Sequence, residues 1–112
     1  MRTAEEYKKS LLSMKKNVFM NGELVGRDDP RLVPALNTVC ATYDAQTDPD
    51  PKIRDLCTAK SHLSGETISR FAHTHRSVED LIKKQEMTRV LCHRTGTCVL
   101  RCMGVDALNA LS

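Results

Sequence analysis

Cys98 and Cys102 are the residues of this chain whose type and spacing best suit chemistry. The apolar pattern around them predicts one helix running through both. At about 100° per residue, four positions turn a helix by roughly 400°, so the thiols would sit some 40° apart on one face, one turn up. Soft thiolates held that way suit an iron–sulfur cluster or zinc. Cys92, six positions earlier, lies about 120° away around the same helix and would not join them. His93 faces elsewhere again. The segment therefore offers two ligands, and a four-ligand site needs two more from outside it. The plain alternative is that both are small core residues, since free cysteine is among the most buried types. The radical-enzyme pattern Cys-x3-Cys-x2-Cys is excluded because Val105 stands in the third place.

Weaker candidates surround this pair. His73-Thr74-His75 would put two rings on one face of an extended segment, but no carboxylate or thiol stands close in sequence to complete a metal set. A small zinc site could also be assembled from Cys98 and Cys102 with two of Cys40, Cys57, His73 and His75. Lys83-Lys84, Arg89 and Lys15-Lys16 could touch phosphate but read more readily as solvated helix faces. Glu5, Glu6, Glu79 and Asp80 are explained by first-turn capping. Ser61 and Ser64 near His62 form no nucleophile elbow. Neither phosphate-binding glycine motif is present. No catalytic residue can be named.

The elements that must position these residues are mostly helical. Thr3-Ala4-Glu5-Glu6 reads as a capping box opening a helix over 4–16. Asn21-Gly22 between Val18-Phe19-Met20 and Glu23-Leu24-Val25 predicts a tight hairpin. Leu32, Ala35, Leu36, Val39, Cys40 and Tyr43 predict a second helix from about 31 to 45, with one helical turn at 52–56 after Asp48-Pro49-Asp50-Pro51. Residues 57–74 read as extended loop with short strand pieces. Ser77 caps a long helix that runs through Gly96, kinked or not, to Cys102. Gly104 is expected to break it before a last helix over 105–111. The fold class expected is mainly α, a helical N-terminal domain over 1–112 with one short β-hairpin.

Composition excludes several classes. The chain has 112 residues, 40% hydrophobic and 28% charged, with a net charge of +3. It is one domain or part of one. Aromatics are 4% with no Trp, too few for a base-stacking platform. The 17 basic residues are scattered among 14 acids, so no nucleic-acid partner is expected. No apolar run approaches the roughly 20 residues of a membrane span. With no secretory h-region at the N-terminus, the expected address is cytoplasmic. Five cysteines there favour metal or redox use over disulfides.

Several stretches carry a resemblance. They are Thr3-Ala4-Glu5-Glu6-Tyr7-Lys8-Lys9-Ser10-Leu11, Asn21-Gly22-Glu23, Asn37 to Tyr43, Thr58-Ala59-Lys60-Ser61, Arg70-Phe71-Ala72 with His75, and Arg89 to Ala110. Together they resemble the N-terminal region of the flavin-dependent family that contains 4-hydroxyphenylacetate 3-monooxygenase and 4-hydroxybutyryl-CoA dehydratase. The two cysteines pick out the dehydratase branch, since the monooxygenases lack them. The resemblance implies a fragment of an acyl-CoA dehydrogenase-like fold, whose central β domain and C-terminal helical domain lie elsewhere. It implies FAD and one 4Fe-4S cluster per subunit in a homotetramer that acts on an acyl-CoA. The reaction implied is dehydration of 4-hydroxybutyryl-CoA to crotonyl-CoA, with isomerisation of vinylacetyl-CoA. Cys98 and Cys102 match two cluster ligands. The other two, a His and a Cys, belong to regions far downstream. A fragment ending at Ser112 is therefore expected to be inactive alone and to self-associate or bind a partner through exposed helix faces. The alternatives are a stand-alone helical interaction module and a relative of the aromatic hydroxylases.

Overall fold

A computed structural model describes residues 1–112. Helix α1 (Ala4–Leu12) opens on the expected capping box. The Thr3 hydroxyl accepts from the Glu6 amide at 3.2 Å, and the Glu6 carboxylate accepts from the Thr3 amide at 3.1 Å. The helix stops at Leu12, short of the predicted residue 16. The hydroxyls of Ser10 and Ser13 donate to the carbonyls of Tyr7 and Ser10, each at 2.7 Å, a local alternative to continued helix. Strands β1 (Val18–Met20) and β2 (Glu23–Val25) form the predicted hairpin, with Val18 opposite Val25 and Met20 opposite Glu23. Asn21 and Gly22 sit at φ 51° and 80°, as a type I′ turn requires.

A 3-10 turn, Pro30–Leu32, leads into α2 (Val33–Asp44), which tightens into a second 3-10 turn, Ala45–Thr47. Helix α3 (Pro51–Cys57) is capped by the Asp50 carboxylate, which accepts from the Lys52 amide at 2.9 Å. The stretch read as extended loop with short strand pieces holds two such strands, paired as a second hairpin. Strands β3 (Thr58–Lys60) and β4 (Thr67–Ser69) pair antiparallel, with Thr58 opposite Ser69. The Ser61 and Ser64 hydroxyls accept from loop amides there, so these serines hold a turn. Arg70 then ties the hairpin to α3. Its Nε donates to the Leu56 carbonyl at 2.7 Å and its Nη2 to the Thr58 carbonyl at 2.6 Å.

Helix α4 (Val78–Thr95) starts at Ser77, as expected. It ends at Gly96 rather than running on to Cys102. Gly96 takes φ 72°, and its amide bonds the Cys92 carbonyl, the left-handed terminus that glycine permits. Helix α5 (Cys102–Leu111) then begins at Cys102 and carries Gly104 inside its first turn, where a break was expected. Packing overrides the glycine. Val105 is fully buried, and Asn109, one turn on, accepts from the His75 amide at 2.6 Å and donates to the His73 carbonyl at 3.3 Å.

The core gathers Ala45, Cys57, Phe71, Met87, Leu91, Val99 and Val105, with Ile53, Leu56 and Cys92 packed against it. The fold is mainly α, with two small antiparallel sheets where one hairpin was expected. No helix is long and apolar enough to cross a membrane.

Candidate metal centre

The two cysteines do not share a helix. Cys98 lies in the irregular segment 97–101 and Cys102 is the first residue of α5. Their sulfurs are nevertheless 3.6 Å apart. The proximity comes from a folded-back loop, and three anchors produce the fold-back. Val99, between the thiols in sequence, is fully buried in the core. Leu100 adopts φ 66°, a left-handed conformation that costs an L-residue roughly 1–2 kcal/mol. Its amide donates to the Cys98 sulfur at 3.4 Å. Arg101 is wedged between two rings, its Cζ 4.4 Å from the Tyr43 centroid and 4.5 Å from that of Phe71. Its Nη1 donates to the buried Thr42 hydroxyl at 2.9 Å. Tyr7 stacks on Tyr43 at 4.9 Å and extends the support to α1.

Cys98 is exposed and Cys102 half-buried, so the pair faces a route from solvent. Burial pushes the Cys102 thiol pKa up, and the neighbouring Cys98 pushes it further. A bound cation inverts that balance by favouring the thiolate. Two thiolates at about 2.3 Å from one tetrahedral ion stand about 3.8 Å apart, close to the observed spacing. The donor set is soft and reachable, two thiols of the type that bind zinc or iron.

The other sulfurs and rings are not part of this centre. Cys57 is fully buried in the core and its pKa is pushed up to about 11 by burial, while Cys40 is buried on α2 and also shifted up by burial. Cys92 packs against the core. His73 is buried with its Nε2 3.3 Å from the Asp80 carboxylate, so the carboxylate missing from the neighbouring sequence arrives from the first turn of α4. Burial lowers the His75 pKa. No three His, Cys, Asp or Glu side chains converge as a metal set, which overturns the reading of a self-contained zinc site from Cys98, Cys102 and two of Cys40, Cys57, His73 and His75. Lys83 and Lys84 are held in ion pairs, with Glu79 at 3.1 Å and Asp106 at 2.7 Å. Sequence reasoning missed Thr42, Tyr43, Leu100 and Arg101. The sequence carries no signal for the φ of Leu100, and only the adjacency of Arg101 to Cys102 pointed toward that residue.

Comparison with known proteins bears on this arrangement. A family model described as 4-hydroxyphenylacetate 3-hydroxylase, N-terminal, matches residues 3–112. The chain is 43% identical over 113 aligned residues to a 4-hydroxybutyryl-CoA dehydratase/vinylacetyl-CoA-Delta-isomerase of Clostridium aminobutyricum, which covers 99% of this chain and 23% of that protein. Among solved structures it is similar to an oxygen-tolerant archaeal 4-hydroxybutyryl-CoA dehydratase from N. maritimus, with TM-score 0.88 and 38% identity over 98% of this chain and 22% of the other. The chain thus spans less than a quarter of the length of either relative.

Proposed function

Because this chain belongs to the 4-hydroxyphenylacetate 3-hydroxylase N-terminal family, we propose that it is the cysteine-bearing segment of a dehydratase that uses FAD and a 4Fe-4S cluster. The proposed reaction is dehydration of 4-hydroxybutyryl-CoA to crotonyl-CoA, with isomerisation of vinylacetyl-CoA. The observation that carries this reading is the pair of sulfurs 3.6 Å apart at an accessible loop, in a chain 43% identical to such an enzyme. The same pair favours the dehydratases over the aromatic hydroxylases of the family.

Residues 1–112 act in this reading as the N-terminal helical domain of an acyl-CoA dehydrogenase-like fold. Cys98 and Cys102 would hold the cluster on this side, and the other two ligands would come from parts of the dehydratase that this chain does not span. When bound, the cluster supplies a Lewis acid for the substrate hydroxyl and the flavin takes up hydrogen, so the hard chemistry belongs to the cofactors. The work of this chain is positional. Val99 and Arg101 fix the loop, and the 102–105 turn of α5 fixes the second sulfur. The assembled enzyme is a homo-oligomer acting on an acyl-CoA, without a nucleic-acid or membrane partner. Its free cysteines suit a reducing cytoplasm.

The test is complementation. The chain reconstituted anaerobically with iron, sulfide and FAD is expected to form no crotonyl-CoA. Adding the remainder of the Clostridium relative, expressed separately, is expected to restore turnover and the visible sulfur-to-iron absorption. Cys98→Ser and Cys102→Ser should lose both. Turnover by the chain alone, or full absorption in either serine variant, overturns the reading.

A further inference from the structure

The sequence motifs leave one cleft unused, on the side of the molecule formed by the end of α2's 3-10 extension, α3 and the β3–β4 hairpin. It has a volume of about 540 Å³, within the range of small-ligand sites. Two side chains that line it are almost completely buried and incompletely bonded. Gln46 is 3% exposed, and neither its Nε2 nor its Oε1 has a partner. Arg70 is 4% exposed; its Nε and Nη2 are spent on backbone carbonyls, while Nη1 has no hydrogen bond and stands 3.8 Å from the nearest Asp80 oxygen. Buried polar groups are almost always paired, and leaving one unpaired costs about 1–3 kcal/mol. Both orphans therefore point to a polar group that enters the cleft.

The charge of the lining identifies that group. Arg54, Lys60 and Lys83 join Arg70 in the wall, with Asp55 the acid among them. Lys83 is shared with Glu79 at 3.1 Å and Arg70 stands 3.8 Å from Asp80, which leaves Arg54 and Lys60 as the cations outside ion pairs. An oxyanion answers these two cations and the free Nη1 and Nε2 donors. Gln46 Oε1 asks for a donor as well, which a protonated phosphate oxygen or a hydroxyl beside a phosphate supplies and a halide or an ionised carboxylate does not. We propose that the cleft is a binding site for a phosphate or pyrophosphate group, with Gln46 and Arg70 contacting it directly and Arg54 and Lys60 neutralising it. The site is independent of the cysteine centre, and no step of the proposed dehydration requires it.

The test uses the 112-residue chain, ¹⁵N-labelled, titrated with inorganic phosphate and with pyrophosphate at constant ionic strength. The Gln46 side-chain NH₂ signals and the Thr58 and Thr67 amides are expected to shift saturably. Lys60→Glu, at an exposed position, should weaken pyrophosphate binding by about tenfold or more, as loss of a charge-assisted partner does. Lys60→Ala should weaken it less. Lys9→Glu, on α1, should leave it unchanged. Gln46→Leu should abolish the binding and leave the unliganded chain at least as stable as the parent, since an unpaired amide is removed. ADP and coenzyme A form the second arm. Binding tighter than that of pyrophosphate assigns the site to the phosphates of a nucleotide, and binding no tighter assigns it to a free oxyanion. Shifts that stay linear, that chloride reproduces, or that survive Lys60→Glu overturn the proposal.

Discussion

Replacing Arg101 with Met removes the clamp behind the cysteine loop while keeping most of its apolar bulk. Two ring contacts are lost, at 4.4 and 4.5 Å, each worth from about 0.5 to about 2 kcal/mol depending on desolvation. The bond to Thr42 goes as well, and a charged hydrogen bond contributes about 1.5–3 kcal/mol. Against this stands the cost of burying a guanidinium, which is also what draws the Arg101 pKa down, the two tyrosines pulling the other way. Thr42 keeps its own bond to the Val39 carbonyl, so no new orphan donor is created. The net expectation is a loss of about 2–3 kcal/mol. With a urea slope of about 1–3 kcal/mol per molar, the midpoint should fall by about 1 M at unchanged slope. The assay is urea unfolding followed by far-ultraviolet dichroism. Because the chain has two Tyr and no Trp, tyrosine emission reports in parallel on the Tyr7–Tyr43 stack. Arg101→Lys should not recover the stability, since an ammonium lacks the flat face that fits between rings. A midpoint within about 0.2 M of the parent for Arg101→Met, or full recovery by Lys, would refute the clamp; the lower bound corresponds to surface-substitution effects of about 0.5 kcal/mol.

Two further outcomes follow from the same structure. Gly96→Ala meets no neighbouring atom, but its φ is 72°, so it should cost about 1 kcal/mol; a gain in thermal midpoint would mean that the helix wants to run on through residue 96. Asp80 has its pKa held below 3.8, first by the Arg76 amide and then by His73 and Arg70. A depressed acid contributes stability that is complete above its unfolded value of about 3.9 and is lost as pH falls through the folded value. The urea midpoint should therefore drop in acid below about pH 4, and Asp80→Asn should flatten that drop; an unchanged acid slope in the variant would remove Asp80 from the account.

Much of this protein was legible from local chemistry alone. The Thr3–Glu6 capping box, the Asn21-Gly22 hairpin and the Ser77 cap were readable because each is decided within about four residues by hydrogen bonds or backbone sterics. The pairing of Cys98 with Cys102 was also visible in their spacing, and so was the family likeness of their neighbourhood. What brings the sulfurs together is not helical periodicity. Periodicity puts them one turn apart, and the chain instead leaves the helix at Gly96 and doubles back. That choice is made by Val99 seeking the core, by Arg101 seeking Tyr43 and Phe71, and by strain accepted at Leu100. Arg101 and its hydrogen-bond partner Thr42 lie 59 residues apart in sequence, so no local pattern records such contacts. The second hairpin escaped for the same reason. Its strands are three residues each, too short to announce themselves by alternation, and Arg70 holds them by reaching back to the α3 carbonyls. The sequence by itself determined where the side-chain-capped helices α1 and α4 start and which thiols could act together. The tertiary structure alone decided the path between α4 and α5, because it is set by what Val99 and Arg101 can bury against.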